Sequence, residues 1–204
     1  MFFFVELHLM ALLGIYLTVT LCFFYFRKKE TTLIKQLINL SFFIYLILLI
    51  KVTLFPIPID KILIKSMLET DTAAKTNLIP FATMYKTFDY NNMDLWIKQI
   101  GGNILLLMPL GFYAPLLWNQ VKKFKNIIIL GFLASFTIEF VQTLISLIIG
   151  VTYRSFDVDD LILNTVGAIL GFGIIKLFLP ILIKVVKTID GESEKNMKIL
   201  NLRR

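Results

Sequence analysis

Residues 127–149 read IIILGFLASFTIEFVQTLISLII, an almost wholly apolar stretch with one carboxylate, Glu139, near its middle. An α-helix rises about 1.5 Å per residue, so about twenty apolar residues cover the roughly 30 Å of bilayer hydrocarbon. The stretch therefore reads as a membrane-spanning helix, and the same reading extends outward from it. Ile100–Trp118 precedes it and Val158–Leu179 follows it, with Pro180 kinking or ending the latter. Nearer the N-terminus lie Leu37–Phe55, stopped by Pro56-Ile57-Pro58, and a first run from Phe2 to about Phe26. With 57% hydrophobic and 17% charged residues among 204, and a mean hydropathy of +0.79, the chain is far too apolar for a soluble domain of its size. The expected fold is all-α, one polytopic transmembrane helical bundle of about five spans.

Basic residues flank these runs. Arg27-Lys28-Lys29 follows the first, Lys122-Lys123-Phe124-Lys125 separates the third and fourth, and Lys184, Lys187, Lys195, Lys198, Arg203 and Arg204 lie beyond the fifth. Placing those segments in the cytoplasm, with Lys35 in the first of them, collects thirteen of the 21 Lys and Arg residues there, with the N-terminus out and the C-terminus in. The net charge of +7 is thus read as a topology signal, and no nucleic-acid partner is expected. A secretory signal peptide would carry its charge before the apolar core, so the first run is expected to stay in the mature protein. Cys22 is the sole cysteine and His8 the sole histidine, which excludes an intramolecular disulfide and any metal site needing two of either. The segment from Pro56 to Gln99 carries Tyr85, Phe88, Tyr90 and Trp96, aromatic side chains of the kind that seek the headgroup layer. It is expected to lie on or dip into the membrane surface, with Asn77-Leu78-Ile79-Pro80-Phe81 as a bent element packed against the helices.

Burying a carboxylate in hydrocarbon costs several kcal/mol, so Glu139 must be protonated, paired or open to a wet cavity. Helical spacing puts Ser135, Glu139 and Gln142 on one face. A second cluster, Arg154-Ser155-Phe156-Asp157-Val158-Asp159-Asp160, opens span five. There Asp157, Asp160 and Asn164 share a face, while Asp159 points elsewhere, a candidate charge for the positive end of its own helix. Span three contributes Asn103, and Lys51 either snorkels outward or supplies a counter-charge. At 1.5 Å per residue all but Glu139 lie within about 10 Å of the outer helix ends, and Glu139 about 15 Å down. The groups are expected to converge on one cavity open to the outer leaflet. The plainer alternative is that intramembrane polar groups bond helices together and that Asp residues at a helix start cap it. Depth, charge and a partner of opposite sign single out Glu139 and Arg154, though their separation along the chain fixes no distance. Gly167 and Gly171 form a small-xxx-small pattern that lets another helix approach, and Gly101, Gly102, Pro109 and Gly111 read as packing and bending positions.

Three blocks follow one another in the sequence: Gly102-Asn103 with Met108-Pro109-Leu110-Gly111-Phe112, then Ser135-x-x-Ile138-Glu139-x-x-Gln142, then Arg154-Ser155-Phe156-Asp157-Val158-Asp159-Asp160-Leu161-Ile162-Leu163-Asn164-Thr165-x-Gly167. In this order they resemble the VanZ family. Asn77-Leu78-Ile79-Pro80-Phe81 fits the same pattern upstream. The resemblance covers about Thr53 to Gly173. It divides the chain into an N-terminal helix pair (residues 1–52, the second helix ending near 55), a VanZ-like domain (53–173), and the end of the last helix with a cytoplasmic basic tail (174–204). It implies a multi-pass protein of a bacterial plasma membrane, in a Gram-positive type of cell envelope, with a part in resistance to the glycopeptide teicoplanin. The positions it carries over as ligand-binding are Asn77, Asn103, Glu139, Gln142, Arg154, Asp157, Asp160 and Asn164.

The first functional reading is a binding protein whose polar cavity takes a lipid or a lipid-linked cell-wall intermediate, with Arg154 meeting an anionic headgroup. The second is an intramembrane enzyme acting on a lipid or polyprenyl-linked substrate, with Glu139 or Asp160 as acid or base and a divalent cation on carboxylate oxygens. No nucleophile motif accompanies it, and no cofactor is otherwise indicated. A proton-coupled transporter is the third and weakest, because five spans show no inverted repeat.

Overall fold

The computed structural model describes residues 4–5, 33–70, 76–89 and 93–190. Most of the expected span Phe2–Phe26, with His8 and Cys22, and also Tyr90 and the tail beyond Asp190, lie outside the described residues. Helix α1 (Leu33–Leu54) is followed by two short helices, α2 (Lys61–Glu69) and α3 (Ala82–Asp89). One turn, α4 (Met93–Trp96), then runs through a π-helical turn (Ile97–Gly101) into α5 (Gly102–Leu117). A 3-10 turn (Asn119–Val121) leads to α6 (Phe124–Ile149), and a loop leads to α7 (Val158–Asp190). Ile57–Pro58 makes a two-residue antiparallel pairing with Phe4–Val5.

Among the described residues, four segments are long and apolar enough to cross a membrane: Lys35–Leu54, Met93–Leu117, Phe124–Ile149 and Val158–Ile181. The protein is an all-α membrane bundle. The third expected span begins earlier than its apolar run, because α4 and the π turn continue α5 backward. Pro180 neither ends nor visibly interrupts α7, which runs to Asp190. Proline removes one helical hydrogen bond, a loss that spanning helices absorb, and α5 carries Pro109 and Pro115 internally in the same way. Near Pro109 the Tyr45 hydroxyl donates to the Leu106 carbonyl at 3.0 Å and meets the Leu110 backbone, inserting a side chain into the helical ladder.

Backbone contact between α5 and α7 decides the packing. A Cβ at Gly111 would stand 1.8 Å from the Ala168 carbonyl oxygen, one at Gly167 2.0 Å from that of Ile104, and one at Gly171 1.8 Å from that of Met108. The numbers rise together from Ile104–Gly167 to Met108–Gly171, and from Asn103–Asp160 to Gly111–Ala168, so α5 and α7 are parallel, while α6 packs antiparallel to α7. The apolar core sits along this seam, with Leu107, Leu110 and Ala114 of α5, Ile127 of α6, and Ala168, Phe172 and Ile175 of α7. Outside it, Phe132, Phe136 and Phe140 stack at 6.4 and 6.3 Å along the lipid-facing side of α6. Exposed apolar side chains are at no disadvantage against acyl chains.

Candidate functional site

The buried stripe of α6 is Ile127, Gly131, Ser135, Glu139, Gln142 and Ser146, apolar at its start and polar towards its C-terminus. Gly150, at φ 79°, closes α6 in the left-handed conformation by donating its N–H to the Ser146 carbonyl at 3.0 Å. The chain then folds back along the stripe. The Ser146 hydroxyl donates to the Arg154 carbonyl at 3.2 Å, and the Asp157 N–H donates to Glu139 Oε2 at 3.1 Å. Helix α7 thus starts level with Glu139 rather than with the end of α6, ten residues or about 15 Å farther along. Glu139, 2% exposed, is therefore deep along its own helix yet beside a helix start.

The amide ends of α3 and α7 are held by carboxylates. Asp157 caps α7 by accepting from the Asp159 N–H at 2.8 Å, and it also accepts from Asn77 Nδ2 at 2.8 Å and the Thr83 hydroxyl at 2.7 Å. Asn77 is laid beside it by backbone bonds from Asn77 N to Phe156 O (2.9 Å) and from Val158 N to Asn77 O (3.1 Å). Asp159 sits in the first turn of α7, as expected, and its carboxylate also holds the start of α3. It accepts from the N–H groups of Phe81, Thr83 (2.8 Å) and Met84 (3.1 Å). Phe81, at φ 68°, takes a backbone conformation uncommon for a bulky residue at this junction.

The carbonyl end of α1 is held by donors. Gln142 Nε2 donates to Thr53 O at 2.7 Å, the Tyr153 hydroxyl to Leu54 O at 3.1 Å, and Arg154 Nη2 to Val52 O at 3.2 Å and Phe55 O at 3.5 Å. The last carbonyls of a helix have no partner within it and carry its negative end, so amide, phenol and guanidinium donors suit them. Arg154 makes no ion pair with Glu139 among the described residues, although its charge acts on both Glu139 and Asp160. Lys51 is exposed and makes no ion pair among the described residues.

Between these ends, Asn103 Nδ2 donates to Asp160 Oδ1, its helix phase set by the π turn just before it. Asn164 Nδ2 donates to the Ser135 hydroxyl at 2.9 Å. Its Oδ1 is the one buried side-chain polar atom without a partner among the described residues. All eight sequence-derived positions thus lie at one polar end of the bundle, in separate hydrogen-bonded groups. The carboxylates take separate partners within it, and among the described residues no three His, Cys, Asp or Glu are grouped to hold a metal ion. Of the eight, Arg154 also lines an open cleft of about 380 Å³, with Thr76, Thr143, Ser146, Thr152 and Phe156. Leu68 and Leu147, both well exposed, stand at its sides.

Sequence reasoning did not single out Ser146, Thr83 or Tyr153. Ser146 continues the Ser135, Glu139, Gln142 stripe by one helical step and was open to the same periodicity argument. Thr83 and Tyr153 act through contacts to distant helices, which no local spacing signals.

The family model described as VanZ/LLP1 matches residues 42–179, more than half of the chain. The chain belongs to the VanZ family. No curated protein and no solved structure matches it. The matched VanZ residues take in α1 from Phe42 onward and every member of the polar network, and they close just before Pro180.

Proposed function

We propose that this VanZ family member is a multi-pass protein of a bacterial plasma membrane that contributes to teicoplanin resistance by binding a lipid or lipid-linked cell-envelope headgroup. The cleft beside Arg154 carries the proposal. Nη2 of Arg154 is engaged with the end of α1, whereas its donors on Nε and Nη1 meet no described residue. Hydroxyls of Thr76 and Thr152 lie in the same lining, and the apolar walls include Leu68 and Leu147. A cleft of this composition suits an amphiphile whose phosphate or sugar oxygens accept hydrogen bonds while its chain stays in lipid. The polar end is assigned to the outer leaflet by the distribution of Lys and Arg along the sequence.

A second reading, an intramembrane enzyme acting on such a lipid, draws on Glu139 and Asp160, two carboxylates on α6 and α7 that both lie within reach of the Arg154 charge. Teicoplanin susceptibility of a sensitive Gram-positive host separates the readings. Wild type is expected to protect, Arg154→Gln at equal membrane level to protect poorly, and Glu139→Gln to protect in proportion to the lipid it still binds. Loss of protection by Glu139→Gln with lipid binding intact favours the enzyme. No protection by wild type removes the glycopeptide role.

A further inference from the structure

At the end of the bundle opposite the polar network, the turn from α5 to α6 and the part of α7 beside it carry charge of one sign. The turn from α5 to α6 holds Lys122, Lys123 and Lys125, and α7 brings Lys176 to the same level. The antiparallel register of α6 and α7 requires this. Ser135 bonds Asn164 and Gly131 lies against Ala168, so each step back along α6 is a step forward along α7, and Lys176 comes beside Lys123.

Lys176 Nζ stands 5.3 Å from the ring centroid of Phe172, one turn earlier on its helix. Its charge reaches Lys122, whose ammonium is held below the ordinary lysine range first by burial and then by Lys176. Helix α6 starts on Lys123 with no side-chain cap and no acidic residue in its first turn, so its dipole adds to the ammonium charges. No Asp or Glu occurs from Gly102 to Ile138 or from Leu161 to Ile189, the stretches of α5, α6 and α7 that approach this end. Trp118, 40% exposed at the end of α5, and exposed Phe124 mark the level as a membrane boundary.

We propose that this end binds the anionic headgroup of a phospholipid, its phosphate lying between Lys122 of the turn and Lys176 of α7. Positive charge contributed by α7, by the turn and by the α6 dipole matches a phosphodiester in a headgroup layer. A zwitterionic headgroup fits less well, because its own ammonium would enter the same field. The site is separate from the cleft at Arg154 and stands whether or not that cleft binds lipid.

The test uses the full chain purified in detergent and offered phosphatidylglycerol or phosphatidylcholine, with retained lipid counted by native mass spectrometry. Wild type is expected to prefer phosphatidylglycerol by roughly tenfold or more. The double variant Lys122→Gln/Lys176→Gln should lose that preference. Lys122→Arg/Lys176→Arg should keep it, as should Lys61→Gln/Lys65→Gln at the other end. If the glutamine pair does not fold, Lys176→Gln alone, at an exposed position, is read the same way. Equal retention of the two lipids by wild type overturns the proposal. So does an unchanged preference in a glutamine variant that elutes and melts like wild type. Displacement of the bound lipid by millimolar inorganic phosphate overturns a lipid as the occupant.

Discussion

The carboxylate of Glu139 on α6 accepts the backbone N–H of Asp157, eighteen residues later, at 3.1 Å. This bond places the start of α7 at mid-helix depth on α6, and its removal leaves a buried donor unmatched. Glu139→Ala is expected to cost about 1–3 kcal/mol, read as a lowered midpoint of thermal unfolding in detergent. Glu139→Gln keeps an acceptor oxygen at the same reach and should lose less than half as much. Equal losses in the two variants would assign the effect to charge instead of to the acceptor.

The seam between α5 and α7 makes a sharper prediction because it contains its own control. Alanine at Gly167 or Gly171 puts a Cβ within 2.0 Å of a carbonyl oxygen, which only movement of a helix can relieve. Each should cost on the order of 3 kcal/mol or prevent folding. Gly102→Ala and Gly173→Ala meet nothing within 4 Å and should be neutral or slightly stabilising, since alanine favours a helix. Folded yield and melting midpoint of the four variants decide this.

Asp159 holds the start of α3. In Asp159→Ala the amides of Phe81, Thr83 and Met84 lose their acceptor. Their hydrogen exchange should quicken markedly while amides in the middle of α6 keep wild-type protection. Asp159→Asn, with one acceptor oxygen left, should fall between. Equal exchange at all three amides in wild type and Asp159→Ala would sink this account of α3.

Burial raises the phenol of Tyr153 above its ordinary value of 10.0, against a smaller opposing effect of Arg154. Above about pH 10 the unfolded chain has released this proton while the folded chain still holds it, so unfolding gains and stability falls as pH rises. Tyrosinate absorbance of wild type less that of Tyr153→Phe should show a late-titrating phenol, and wild type should lose stability above pH 10 more steeply than the variant.

The spans were legible because length and hydropathy alone decide them. Leu37–Phe55, Ile127–Ile149 and the start at Val158 fall within a few residues of α1, α6 and α7. The face shared by Ser135, Glu139 and Gln142 was legible for the same reason, since helical periodicity orders side chains around an axis before any partner is known. Depth was not. Counting 1.5 Å per residue sets Glu139 far from the helix end, but nothing local shows that residues 150–157 fold back to meet it. Nor does the sequence reveal that Arg154 and Gln142 serve the carbonyls of α1, 102 and 89 residues away respectively. The rule for helix starts is local, so it assigns Asp159 to its own helix and gives no sign that the same carboxylate also holds a neighbouring helix start.

The allocation of side chains at the polar end has a compositional consequence. Acceptors at 139, 157 and 159 meet amide ends, and donors at 142, 153 and 154 meet a carbonyl end. Exchanging the identities of Glu139 and Gln142 would leave mass, charge and hydropathy untouched, yet it would set a carboxylate against the Thr53 carbonyl. Two chains indistinguishable by every bulk property would thus differ in whether three helix ends can meet inside a membrane.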